Sequence, residues 1–126
     1  DDLPYQDWEV HPFLEVVVID GVAYSHYFTS GVMGRPITTA QATLNKQHMS
    51  CFAGHQQGRN IAYGKRADGR EMTSIICGSC YEHHEDYLGA QGNKHYRGFY
   101  VLHEVNDGSF DEMAVSIRFL KERYNY

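Results

Sequence analysis

Three Asp-Gly dipeptides, Asp20-Gly21, Asp68-Gly69 and Asp107-Gly108, punctuate this chain, and each falls between two runs rich in β-branched and aromatic residues. Such a dipeptide is a strong hairpin signal, because both residues tolerate the positive φ of a turn whose twist matches the strands it joins. Three hairpins are therefore predicted: Glu15 to Ile19 with Val22 to Tyr27, Ile61 to Arg66 with Met72 to Cys77, and Phe99 to Val105 with Met113 to Ile117. Thr38 or Thr39 can cap a helix carrying Ala40, Ala42 and Leu44 toward His48, and a short helix from Phe119 to Tyr124 closes the chain. Ser50 to Ala53 reads as a short apolar strand, and Thr29 to Pro36 as a loop. The pattern is that of a strand-rich α+β domain.

With 126 residues the chain fits one domain, with residues 1–12 as a connector and the fold in residues 13–126. A chain of this size buries roughly two-thirds of its unfolded surface and needs no disulfide or structural metal to fold. The longest apolar run, Val16-Val17-Val18-Ile19, is stopped by Asp20, far short of the ~20 residues of a membrane span. A net charge of −5 opposes general nucleic-acid binding and leaves nucleic acid as a substrate held in a local basic cleft. Three cysteines, an odd number with no signal peptide, suit a reduced, cytoplasmic protein. The opening at Asp1, without Met, is what a fragment would show.

Eight histidines make metal binding the first chemistry to consider. A lone His is more often an ordinary surface or core residue, so position decides. His26 and His55 both lie at or just beyond the ends of predicted strands, where open α/β sheets hold their ligands. The single helix between their strands returns the chain in the parallel sense that would bring the two together on one ion. Gly54 and Gly58 flank the second and would permit close backbone approach.

Val22-Ala23-Tyr24-Ser25-His26, a helix, then Ser50-Cys51-Phe52-Ala53-Gly54-His55-Gln56-Gln57 resembles the C-terminal half of a calcineurin-like metallophosphoesterase, particularly the small phage-type members. Thr73 to Ser79, Tyr87-Leu88-Gly89 and the hairpin from Gly98 to Ile117 extend the likeness over residues 15–119. The resemblance implies the strand-rich half of a layered α/β/β/α sandwich. It implies hydrolysis of phosphomonoesters or phosphodiesters with a divalent transition metal, namely Mn, Ni, Zn or Fe. His26 corresponds to the ligand delivered by one strand and His55 to the first His of the family's Gly-His-x-His, while Gln57 stands in place of the second. Arg59, next to that loop, is the candidate contact for a substrate phosphate. Asp-x-His and Gly-Asn-His motifs, which supply the other ligands and the acid for the leaving group, do not occur here. The catalytic residue is thus unassigned, and the chain is expected to be inactive without an N-terminal half. Two ions about 3.5–4 Å apart, with both ligand sets, are what such hydrolysis requires.

Other readings stand beside this one. Cys77-Gly78-Ser79-Cys80 with His83 and His84 could form a small zinc site, although ligands so close together strain a tetrahedral geometry. Glu82, Glu85 and Asp86 read best as a solvated face of the long segment Gly78 to Arg97, while Tyr81 to Tyr100 with Lys94 and Arg97 could stack on a nucleotide. A non-enzymatic interaction module would cover its exposed strand edges by homo-oligomerisation or with a partner such as the N-terminal half.

Overall fold

The computed structural model describes residues 7–56, 58–80 and 96–125. Its body is a five-stranded sheet ordered β1-β2-β5-β7-β6. β1 (Val17–Ile19) and β2 (Val22–Ser25) pair antiparallel, and β5 (Ser50–Ala53) runs parallel to both β2 and β7 (Glu71–Cys77). β6 (Arg59–Lys65) closes the other edge, antiparallel to β7. Within the expected loop, β3 (Thr29–Ser30) and β4 (Arg35–Pro36) make a minimal ribbon. β8 (Gly98–Asn106) and β9 (Ser109–Ser116) form a separate antiparallel hairpin. The described residues thus form a mixed, strand-rich α+β fold with two helices and no closed barrel.

All three Asp-Gly pairs turn the chain, by two geometries. Asp20 and Gly21, and likewise Asp107 and Gly108, all have positive φ, which closes two-residue hairpins. At the third, Gly69 alone of the pair is left-handed, and Gly69 N donates to Arg66 O at 2.9 Å, giving a wider loop. The first and last turns dock on one another: a Cβ at Gly21 would lie 2.5 Å from the carbonyl carbon of Asp107. Gly108 N donates to Asp20 O at 2.7 Å, and Arg70 pairs with Asp107. The turns therefore gather at the end of the sheet where β5 and β7 begin.

Helix α1 (Ala40–Gln47) connects β2 to β5. The Thr39 hydroxyl accepts from Ala42 N at 3.2 Å, and His48 ends the helix in the left-handed region at φ 58°. A crossover of this kind is what lets β2 and β5 run parallel. Register then sorts side chains between faces, since neighbours along a strand point to opposite sides. Ala23, Cys51, Ala53, Ile76 and Ala62 share one face, buried with Ala40 and Leu44 of α1 and with Phe28 and Ile37. Val22, Ser50, Phe52, Thr73 and Ile75 share the other, against which the β8–β9 hairpin packs. There Ser50 Oγ donates to Gly108 O and accepts from Thr73 N at 3.1 Å, while the Phe52 and Tyr100 rings meet edge-on. Ile75 and Ile76, adjacent in β7, are both fully buried, as expected of a central strand covered on both faces.

The closing helix α2 (Ile117–Tyr124) starts two residues earlier than predicted because Ser116 caps it, its Oγ accepting from Phe119 N at 3.0 Å. None of its side chains is buried. No helix among the described residues is long and apolar enough to cross a membrane. Residues 7–12 carry neither helix nor strand.

Candidate functional site

At the end of the sheet opposite the turns, Ser25 of β2 is level with Ala53 of β5, Ala53 with Ile76 of β7, and Ile76 with Asn60 of β6. One residue beyond this row stand His26, Gly54, Cys77 and Arg59. The parallel pairing carries past the strands, because Gly54 N donates to His26 O at 3.0 Å. His26 and His55 come together here: His55 Nδ1 lies 3.1 Å from His26 Nε2, the rings 5.0 Å apart and nearly perpendicular. Both side chains are exposed.

The backbone at His55 is unusual. Its φ is 67°, and Gln56 N donates to Gly54 O at 2.8 Å, so His55 is the central residue of a three-residue turn of the rarer, strained hand. The glycines expected to make room are not needed for it. A Cβ at Gly54 would make ordinary contact with His26 at 3.7 Å, and one at Gly58 would meet nothing within 4 Å. The conformational cost thus falls on the histidine, and the turn aims its imidazole back at His26.

Two aromatic side chains frame the pair. Tyr27 lies 4.8 Å from the His55 ring and Phe13 5.7 Å from the His26 ring, centroid to centroid. Neither was singled out by sequence, although Tyr27 directly follows His26; Phe13, itself largely exposed, comes from the segment before β1. Ser25 Oγ donates to Tyr27 O at 2.9 Å and steadies the chain between the strand end and the ring.

Two nitrogens 3.1 Å apart permit either of two states. Without an ion, one neutral ring donates an N–H to the other. With an ion, bonds of about 2.0–2.1 Å place neighbouring ligand nitrogens roughly 3.0–3.4 Å apart, so the geometry fits shared ligation with little movement. Among the described residues no group of three or more His, Cys, Asp or Glu could hold a metal, so this pair supplies two donors and no anionic ligand.

Gln57 lies outside the described residues. Arg59 is described: its guanidinium sits 4.1 Å over the ring of Tyr96, away from the imidazoles along the sheet edge. Of the zinc alternative, His83 and His84 lie outside the described residues, as do Glu82, Glu85 and Asp86. Cys77 is half-buried, with burial raising its thiol pKa, and Cys80 is exposed. The Tyr96 hydroxyl is buried without a hydrogen-bond partner among the described residues, and burial raises its pKa. Comparison with family models, with curated proteins and with solved structures finds no match to this chain.

Proposed function

We propose that this chain is the C-terminal portion of a metal-dependent phosphoesterase, with His26 and His55 as ligands of one divalent transition metal. The observation that carries the reading is the 3.1 Å approach of His55 Nδ1 to His26 Nε2 across two adjacent parallel strands. Carboxyl ends of parallel strands are where open sheets gather ligands, and a strained turn at His55 is what a held, converging side chain needs. The strand, helix, strand order joining the two histidines is also that of the calcineurin-like metallophosphoesterase resemblance, which supplies the reaction class. Mn, Ni, Zn or Fe suits imidazole donors.

The two rings would hold the ion in place. Tyr27 stands 4.8 Å from the His55 ring, and Ser25 Oγ, donating to Tyr27 O, fixes the backbone that carries it. The metal, when bound, would act as a Lewis acid toward a phosphoryl oxygen and would activate water. Two neutral imidazoles leave its charge uncompensated, so the anionic ligands must come from outside the described residues. An N-terminal half carrying Asp-x-His and Gly-Asn-His motifs is the source the resemblance implies. The chain alone should therefore bind metal weakly and hydrolyse nothing.

The test is a phosphoester screen on the full-length gene product, with p-nitrophenyl phosphate and bis-p-nitrophenyl phosphate and each of the four metals. Metal-dependent turnover should fall at least ~100-fold in His26→Ala and in His55→Ala, as for the loss of a metal ligand or its support. Turnover untouched by both substitutions, or absent with every metal, would overturn the reading.

A second reading has its own observation. Val16, Val18 and Ile19 around edge strand β1, with Trp8, Val10 and Phe13, are all exposed apolar residues. An uncovered edge of this kind suits an interaction module that pairs with another chain.

A further inference from the structure

The two edges of the central sheet differ. At one, β6 has a covering on each face: Ala62 is buried beneath α1, and Tyr63 hydrogen-bonds Glu112 of the hairpin. At the other, β1 has neither. Val18 is level with Ala23 and so lies on the α1 face, while Ile19 is level with Val22 on the hairpin face, yet both are 56% exposed. The backbone of β1 is open as well. The Asp20-Gly21 turn makes Ile19 and Val22 the hydrogen-bonded pair that closes a two-residue hairpin, and such pairs alternate along an antiparallel ladder. The N–H and C=O of Val18 therefore point away from β2, and neither has a partner among the described residues.

Charge narrows what can pair there. Glu15 and Asp20, both exposed, bracket the run Val16-Val17-Val18-Ile19; Asp7 and Glu9 precede it, and no Lys or Arg occurs in the chain before Arg35. His11 stands among these carboxylates, 3.3 Å from Glu9 and 3.2 Å from Glu15. Arg70, at the docked turns, is engaged by Asp68 and Asp107. Among the described residues no Lys or Arg forms an ion pair with any of the four carboxylates. A second copy of β1 would set these like charges against one another. β6 of a second copy is a poor match too, since it is already covered, its Lys65 is level with Glu71, and the adjoining Arg66 pairs with Asp68.

We infer that the free edge of β1 takes up an extended segment of another protein, a short run of β-branched residues with Lys or Arg at both ends, as an added strand. Main-chain hydrogen bonds at Val18 give the pairing its affinity, while apolar contact with Val18 and Ile19 and the flanking carboxylates select the segment. Glu15 and Asp20 are five residues apart, about 17 Å of extended chain, which sets the spacing of the two basic ends. The inference rests on the interaction reading and is independent of the metal site.

The test is fluorescence anisotropy of a dye-labelled peptide, Lys-Lys-Val-Thr-Val-Thr-Lys-Lys, titrated with the chain beside two counterparts whose lysines are all serine or all glutamate. The basic peptide should bind at least ~10-fold tighter than the serine peptide, and the glutamate peptide should not bind. Raising the salt from about 25 to about 200 mM should shrink the difference. Val18→Pro removes the outward N–H at an edge position that tolerates proline, so it should abolish binding of every peptide with the circular dichroism spectrum unchanged. Glu15→Gln with Asp20→Asn leaves the backbone alone, because Asn suits the positive φ of 48° at that turn. This double variant should bring the basic peptide down to the affinity of the serine peptide. Equal binding of the basic and serine peptides, both lost in Val18→Pro, would overturn the basic partner while leaving strand addition in place. No binding by any peptide, or binding indifferent to Val18→Pro, would overturn strand addition itself. Dimerisation of the chain in sedimentation, lost in Val18→Pro, would overturn the inference by assigning the edge to a second copy.

Discussion

The two faces of the central sheet are built from different chemistry. On the α1 side most buried residues are small and aliphatic, Ala23, Ala53, Ala62 and Ile76 of the sheet with Ala40 and Leu44 of the helix, joined by Phe28, Ile37, Cys51 and the hydroxyl-bearing Ser74. Beneath the β8–β9 hairpin, Val22 and Ile75 are sealed by hydroxyls and rings: Ser50, Thr73, Phe52 and Tyr100. Tyr63, on that side of β6, hydrogen-bonds Glu112 of β9, which pushes its phenol pKa up to about 12. A helix covers a sheet by filling space and needs polar partners chiefly at its unpaired first turn, where Ala40 N donates to Asn60 Oδ1 of β6 at 2.6 Å. A hairpin crossing a sheet brings backbone groups of its turn into the interior, and these need donors and acceptors on the sheet. The site end, with His26, His55 and Arg59, stands where both coverings stop.

Adjacent isoleucines test the contrast most strongly. Ile76→Ala, on the aliphatic face, should destabilise by about 4 kcal/mol. Ile75→Ala, beneath the hairpin, should destabilise by about 3 kcal/mol, because the β8–β9 hairpin, outside the hydrogen bonding of the sheet, can settle toward the space more readily than α1, which is tied to β2 and β5 at its two ends. Urea denaturation of the two variants measures this, and equal losses would remove the distinction. Ser50→Ala comes next, at about 2 kcal/mol, since it leaves Thr73 N and Gly108 O buried without their hydroxyl. Its loss should exceed that of Thr39→Ala, an exposed cap on the other side, at about 1 kcal/mol.

The smallest effect is electrostatic. Burial pushes the Cys51 thiol up to about 12 from its ordinary 9.0. The folded state therefore keeps a proton that the unfolded chain gives up, so this contribution is full below about pH 9 and is lost as pH rises toward 12. Between about pH 9 and about pH 10 Cys51 should lower the unfolding free energy by about 1 kcal/mol, a slope that Cys51→Val removes. On the hairpin side, Tyr63 is largely exposed, so Tyr63→Phe should abolish the late phenol titration seen by ultraviolet absorbance while barely moving the melting temperature.

These contrasts also explain what the sequence could convey. The three hairpins and α1 are legible because Asp-Gly turns and a Thr cap are local devices whose physics is complete within a few residues. β3 and β4 are not, since two-residue strands carry no alternation and Pro36 reads as a loop. The early start of α2 follows from a cap at Ser116 that looks like the end of a strand. At the site, His26 and His55 could be singled out because each ends a strand, and a helical crossover makes those strands parallel neighbours. That the strain sits on His55 rather than on Gly54 was invisible, because composition suggests glycine wherever a chain must bend. Packing of the β8–β9 hairpin on the sheet brings Arg118 and Phe119 to the same cavity as Arg59, a proximity that no local pattern encodes.

The central claim is that His26 and His55 can share one ion. Zinc titration of the chain, followed through the imidazole Cε1–H and ring nitrogen resonances, tests it most directly. Two of the imidazoles should shift together to saturation at one ion per chain, with His48 and His103 unmoved. Either His26→Ala or His55→Ala should abolish the shift of the remaining partner. Shifts of His48 or His103 instead, or a response of His26 that survives His55→Ala, would contradict it.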